Sequence, residues 1–177
     1  ALFMIFFLIL SYSRSSSALY LTKDMKYLYT ANLDGGSVSK VDANSGEKIF
    51  EKSLGKDIRR IAFNQDESIY AVTDFLDNKV IFLDSSNNKI IKTIKTKNRP
   101  HAILYDEKNR YFFVTIYEDN EILVIEDKKF EIIKTIKTEL TPRGMAITSD
   151  GRLLVTHAMI GVVSIYDSRS LVRLKTI

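Results

Sequence analysis

The side chains able to do chemistry in this sequence are few, and most of them are basic. His101 and His157 are its only histidines and cysteine is absent. That excludes disulfides, thiolate zinc sites and Cys nucleophiles, and leaves any metal to His, Asp or Glu. Two lone histidines serve more readily as hydrogen-bonding fillers than as ligands, because a metal site needs several convergent donors. No metal and no cofactor is therefore expected. No Ser nucleophile motif appears, and Gly35-Gly36 after Asp34 reads as hairpin chemistry, since no helix follows to make it a phosphate cradle. What remains is a basic set, Arg59, Arg60, Arg99, His101 and Arg143, and a second polar set, Asn32, Asp74 and His157. Brought together, they would hold a phosphate, a carboxylate or a nucleic-acid backbone. Kept apart, the arginines would only meet solvent or pair with Asp57, Asp74 and Glu139 at little energetic gain.

Whether they converge depends on the elements that carry them, and those elements repeat. Ile90-Ile91-Lys92-Thr93-Ile94-Lys95-Thr96 recurs as Ile132-Ile133-Lys134-Thr135-Ile136-Lys137-Thr138, 42 residues later. The same shift lays Asp24 on Asp66, Val38 on Val80, Asp42 on Asp84 and Glu126, and Pro100 on Pro142. A fourth copy, one residue shorter, puts Asp167 in the Asp column and Leu174-Lys175-Thr176-Ile177 on the Ile-Lys-Thr-Ile string. The copies span about 16–57, 58–99, 100–141 and 142–177.

Each copy reads as short β segments separated by Asn, Asp and Ser turns, as in Arg60-Ile61-Ala62-Phe63, Ile69-Tyr70-Ala71-Val72-Thr73, Lys79-Val80-Ile81-Phe82-Leu83 and Ile90-Ile91-Lys92-Thr93-Ile94. The third segment is almost continuously apolar, as a strand covered on both faces should be. The fourth alternates Ile with Lys and Thr, as a half-solvated outer strand should. Strands repeating at this period, without a helical period, predict an all-β propeller. Its four-stranded antiparallel blades run from an innermost first strand to an outermost last one. The loops that enter each first strand and leave each second strand then meet at one mouth of the central channel. There the basic set lies at the starts of the first strands, with Asn32, Asp74, Ile116 and His157 at the ends of the second strands.

Those second strands end in Tyr29-Thr30-Ala31-Asn32, Ala71-Val72-Thr73-Asp74, Phe113-Val114-Thr115-Ile116 and Leu154-Val155-Thr156-His157. At fixed spacing follow Val38-Ser39-Lys40-Val41-Asp42, Val80-Ile81-Phe82-Leu83-Asp84, Ile122-Leu123-Val124-Ile125-Glu126 and Val163-Ser164-Ile165-Tyr166-Asp167. With Pro100-His101-Ala102 and Pro142-Arg143-Gly144 opening two copies, the sequence from residue 16 to 177 resembles the YVTN-type β-propeller repeat family of exported bacterial and archaeal proteins. It departs from that pattern where Asn survives only at Asn32 and where Ile58 replaces the opening Pro. The resemblance implies a ring of about seven blades, so these copies are expected to form an arc of a larger ring, or a strained closed one, and a monomer when complete. It implies a non-catalytic binding or scaffold protein for a protein, polysaccharide or anionic ligand. It leaves two alternatives, a lactonase-like hydrolase built on Asp74, His157 and Asn32, and single-stranded nucleic-acid binding.

Composition agrees with an ordinary globular chain: 177 residues, 45% hydrophobic, 27% charged, formal net charge +4. The run Ala1–Leu10 is wholly apolar but too short to span a bilayer, and Ser16 and Ala18 are small enough for cleavage before Leu19. Residues 1–18 therefore read as a truncated export signal, or else as an N-terminal hydrophobic segment such as a buried strand or helix of a preceding unit; the export reading implies a protein of the periplasm, the cell surface or the exterior.

Overall fold

A computed structural model describes residues 16–177, and the apolar run at the start of the chain lies outside them. Sixteen strands and no helix make up the described residues. The first blade comprises β1 (Ser16–Leu21), β2 (Tyr27–Asn32), β3 (Ser37–Asp42) and β4 (Lys48–Ser53). The second holds β5 (Ile58–Phe63), β6 (Ile69–Asp74), β7 (Lys79–Asp84) and β8 (Ile90–Lys95). The third holds β9 (Pro100–Asp106), β10 (Tyr111–Ile116), β11 (Glu121–Glu126) and β12 (Ile132–Lys137). The fourth holds β13 (Pro142–Ile147), β14 (Arg152–His157), β15 (Val162–Asp167) and β16 (Arg173–Thr176). Each blade is a four-stranded antiparallel sheet in sequence order, so the propeller architecture stands. Ser16 to Ala18 open β1, so a signal ending at residue 18 would overlap the first blade.

The turns explain why so few glycines suffice. Gly36, Asn78, Asn120 and Gly161 occupy one turn column, all at positive φ, and Gly46, Asn88, Phe130 and Leu171 occupy another. Asn tolerates this left-handed backbone better than most residues, and two of these also brace the next blade: Asn78 Oδ1 accepts from the Arg99 amide (2.8 Å) and Asn120 Oδ1 from the Thr141 amide (2.7 Å). The acidic column caps the other hairpin. Asp42, Asp84 and Asp167 each accept two backbone amides from the turn that follows, which holds their carboxyls below the usual range.

The cores lie between blades. Tyr29, Ala31 and Val38 of the first blade meet Ile61, Phe63, Tyr70 and Val72 of the second. Ala71, Val80 and Phe82 meet Phe112, Val114 and Ile125 of the third. Phe113, Ile122 and Val124 meet Leu153, Val155 and Tyr166 of the fourth. Innermost strands pack successively, β1 on β5, β5 on β9 and β9 on β13, while the first and fourth blades do not pack together. The blades thus form an open arc around the channel.

A register shift opens every innermost strand: between Ser16 and Ala18 in β1, Ile58 and Arg60 in β5, Pro100 and Ile103 in β9, and Pro142 and Met145 in β13. Such bulges bend a strand and re-aim the side chain at the bend. The residues in the bend are Ser17, Arg59, His101 and Arg143, which share one column of the repeat.

Candidate functional site at the channel mouth

The bulges bring the basic column to one place. A cavity of about 270 Å³ is lined by Arg59, Phe75, Arg99, His101, Tyr117 and Arg143. Four of the eight residues expected at the mouth therefore share one wall. Arg60 adjoins them, its positive charge felt by both His101 and Arg143. Phe75 and Tyr117 were not anticipated. They stand one residue beyond the second-strand ends, 42 residues apart in the repeat, so the period could have found them.

The arginines are not equivalent. Arg59 is fixed: its Nε and Nη2 hold Asp57 at 2.9–3.1 Å and its guanidinium lies 3.3 Å from the Phe75 ring centroid. Arg99 pairs with Glu118 at 2.9 Å, with its guanidinium 5.2 Å from the same ring. Surface pairing, expected with Asp57, thus holds for Arg59, whereas Glu139 is taken by Arg173 and Asp74 by Lys79. Arg60 gives Nη1 to the carbonyls of Ser17 and Arg59, both at 2.9 Å, and has no carboxylate partner among the described residues. Burial, then the charges of Arg143 and Arg59, push its guanidinium below its ordinary value. Arg143 is exposed and likewise has no ion-pair partner among the described residues. Among the described residues, Arg143 in the cavity wall and Arg60 beside it thus have no carboxylate partner.

His101 sits among them, 4% exposed, with its Nδ1 buried and lacking any hydrogen-bond partner. Its ring centroid is 6.0 Å from both Phe75 and Tyr117. Burial, and after it the charges of Arg60, Arg59 and Arg143, push it down to about 4, so the ring is neutral at physiological pH. A neutral imidazole here keeps the site from gaining yet another cation.

The second-strand ends do not join this site. Asn32 accepts from Thr30 Oγ1 and donates to Ser37 and Ser39, all within its own blade. Asp74 is fully buried, accepts from the amides of Lys56, Asp57 and Asp77, and lies 3.3 Å from Lys79 Nζ. A Cβ on Gly55 would stand 1.5 Å from its Oδ2, so the crossover into the second blade is folded tightly onto this carboxylate. His157 lies 3.3 Å from Thr138 Oγ1 and 3.3 Å from the Leu140 carbonyl. These three are thus engaged by neighbouring loops and strands, and Ile116 is a core residue. Among the described residues no three His, Asp or Glu side chains are grouped to hold a metal.

Neither a protein-family model nor a curated protein matches this sequence. Solved structures do resemble the fold. A chain of the hydrazine synthase of Kuenenia stuttgartiensis superimposes with a TM-score of 0.85 at 20% identity, over 96% of this chain and 52% of its own. U3-55K gives 0.82 at 14% identity, over 92% and 51%. The dihydro-heme d1 dehydrogenase NirN, in complex with DHE, gives 0.77 at 17% identity, over 93% and 38%. This chain spans about half or less of their length. At such identities the likeness is one of fold, which enzymes and a non-enzymatic name share.

Proposed function

We propose that this chain belongs to a non-catalytic binding protein of the YVTN-repeat type, carried out of the cytoplasm, whose channel mouth holds the anionic group of its ligand. The observation behind this reading is the basic cavity lined by Arg59, Arg99, Arg143 and the buried, neutral His101, in which Arg143 has no ion-pair partner among the described residues and whose His101 also feels the charge of the neighbouring Arg60. Guanidiniums in this arrangement repel one another until an oxyanion bridges them, and their forked donors suit a carboxylate or phosphate. Four repeats in register support the family, and the apolar run Ala1–Leu10 before small residues supports export. The ligand is an acidic small molecule, polysaccharide or protein segment. The hydrolase alternative draws no support from Asn32, Asp74 and His157, each engaged by neighbouring loops and strands.

The test is a titration of tyrosine fluorescence, reported by Tyr117 in a chain without tryptophan, with inorganic phosphate and with citrate. Saturable binding is expected, and Arg143→Ala should weaken it by ~10- to 100-fold, the range of a lost charged hydrogen bond. No saturation by either anion, or equal affinity in the variant, overturns the reading. An oligonucleotide whose affinity is flat with salt removes the nucleic-acid alternative.

A further inference from the structure

The channel mouth carries aliphatic side chains that its turns do not require. Leu76 follows Phe75 in the β6–β7 turn and is 54% exposed, although blades stand on both sides of its own. Leu140, in the crossover from the third blade to the fourth, is 51% exposed, and Met159 and Ile160 in the β14–β15 turn are 73% and 41% exposed. All four lie at the end of the blades where the basic cavity opens. Leu76 adjoins the Phe75 of its wall, Leu140 stands in the crossover that leads to its Arg143, and the Met159 amide donates to Thr141 Oγ1 of that same crossover at 3.0 Å.

The repeat shows what these positions need for folding. Where the second and fourth blades have Leu76 and Met159, the first and third have Asp34 and Glu118. Ile160 stands in the column of Asp77 and Asp119, and Leu140 in that of Lys56 and Asn98. A charged or polar residue therefore makes the same turn without exposing apolar surface. Singly scattered aliphatic residues are ordinary on any surface. Here four of them replace polar residues on one face, around a cavity whose Arg59 is held by Asp57 and whose Arg99 is held by Glu118, with Arg143 left for a partner. Arginine, methionine and aromatic side chains are those that protein–protein contacts favour.

We infer that the mouth docks a linear segment of a partner protein in which one Asp or Glu lies among aliphatic side chains, the carboxylate going to Arg143 and the aliphatic groups to the rim of Leu76, Leu140, Met159 and Ile160. This deepens the anion-binding reading and rests on it. The partner is argued from charge: a single side-chain carboxylate matches the one guanidinium of the wall that has no carboxylate of its own, and the forked donors of that guanidinium suit its two oxygens. Aliphatic groups on either side bury the rim and exclude water from the ion pair, as the neutral surround of an interface centre does. An acidic polysaccharide supplies the carboxylate but sets hydroxyls where the rim offers only Leu, Met and Ile, and hydroxyls against apolar surface lose hydrogen bonds to water without replacing them.

The test is selection of a phage-displayed library of random heptapeptides on the whole chain, followed by calorimetric titration of the selected peptide. Selected sequences should carry an Asp or Glu close to Leu, Ile, Val or Met, and the peptide should lose at least ~tenfold in affinity when that acidic residue becomes its amide, the loss expected of a charged hydrogen bond. Leu76→Ser and Met159→Ser change exposed positions that Asp34 and Glu118 fill in other blades, so the fold tolerates them. Each should weaken the peptide ~3- to 10-fold through lost apolar contact and leave citrate binding unchanged. Selection of no acidic-aliphatic sequence, peptide affinity untouched by both serine variants, or an oligogalacturonate held more tightly than any selected peptide overturns the inference while the anion site stands. Failure of both citrate and phosphate to bind overturns the anion site and this inference with it.

Discussion

Acidification should cost this protein stability through His101. The ring is held at about 4 in the folded protein, whereas a histidine in the unfolded chain titrates near 6.5. The sign follows from proton binding: between those values the unfolded state takes up a proton that the folded state refuses, so stability is complete above about 6.5 and falls as pH drops toward about 4. The full gap corresponds to about 3 kcal/mol. Because Arg99 and Arg143 are exposed and their charges therefore screened, ~1–2 kcal/mol is the expected loss. His101→Leu supplies the comparison. At neutral pH it removes an unpartnered buried nitrogen, which costs ~1–3 kcal/mol when left unsatisfied, against ring contacts with Phe75 and Tyr117 worth ~0.5–1.5 kcal/mol each. The variant should therefore be within about 1 kcal/mol of the parent near pH 7.5 and lose less on acidification. Urea denaturation of both proteins near pH 7.5 and near pH 4.5 measures the difference of differences, in which the carboxylates cancel. If both lose equal stability between the two pH values, His101 is not buried among cations and the account of the mouth fails.

Two further outcomes follow from the hydrogen bonds. Thr115 Oγ1 joins two blades, accepting from the Ala102 amide at 2.9 Å and donating to the Arg143 carbonyl of the next blade at 3.3 Å. Thr115→Val strands both groups inside the arc and should cost ~1–3 kcal/mol in urea, while Thr156→Val, at the exposed equivalent in the fourth blade, should cost under ~0.5 kcal/mol; equal costs would refute the blade-joining role. Asp74→Ala removes the acceptor for three backbone amides and leaves Lys79 beside an empty buried position. A loss of ~3 kcal/mol or more is expected from thermal melts, with Asp74→Asn closer to the parent, and a loss below ~1 kcal/mol would return Asp74 to the list of ligand candidates.

Much of the fold could be read from the period alone, because a repeat repeats its physics. The Ile-Lys-Thr string marks the outer strand twice, β8 and β12 following it closely, since alternate Lys side chains suit a solvated edge. The site was half legible. Spacing by 42 predicts that Arg59, His101 and Arg143 share a column, but not that a bulge turns this column to the cavity, because bulges depend on pairing and leave no mark in composition. Asn32, Asp74 and His157 misled for a physical reason: a polar side chain at a strand end is needed equally by a ligand and by the loops and strands around it. In this chain Asp74 serves loop amides, Asn32 is taken by the hydroxyls of Thr30, Ser37 and Ser39, and His157 by Thr138 and the Leu140 carbonyl of the crossover before its blade. Phe75 and Tyr117 escaped notice because aromatic residues are also the commonest filling of the cores, and only their position past the end of the strand separates the two uses.

The bulge also explains how one repeat can present a basic cavity in only part of the arc. At each bulge the backbone and the side chain have different duties. The carbonyl of the bulge residue accepts from the preceding blade: that of Arg59 from Ser17 Oγ, that of His101 from Thr73 and that of Arg143 from Thr115. This bond asks nothing of the side chain, which is therefore free to be Arg59, His101 or Arg143 without disturbing the stack. The hydroxyl that makes the bond has no such freedom, and it stays Thr in the second, third and fourth blades while Ser17 provides it where Ala31 fills the Thr column. Stability thus resides in main-chain acceptors and invariant hydroxyls, and recognition in the side chains that project from them. On this reasoning, exchanging His101 for Arg would leave the stack intact through Thr73 yet add a third guanidinium without a carboxylate to the mouth. Its anion affinity should rise while its urea midpoint falls from cation repulsion, and a loss of both together would show that backbone and side chain at the bulge are not separable.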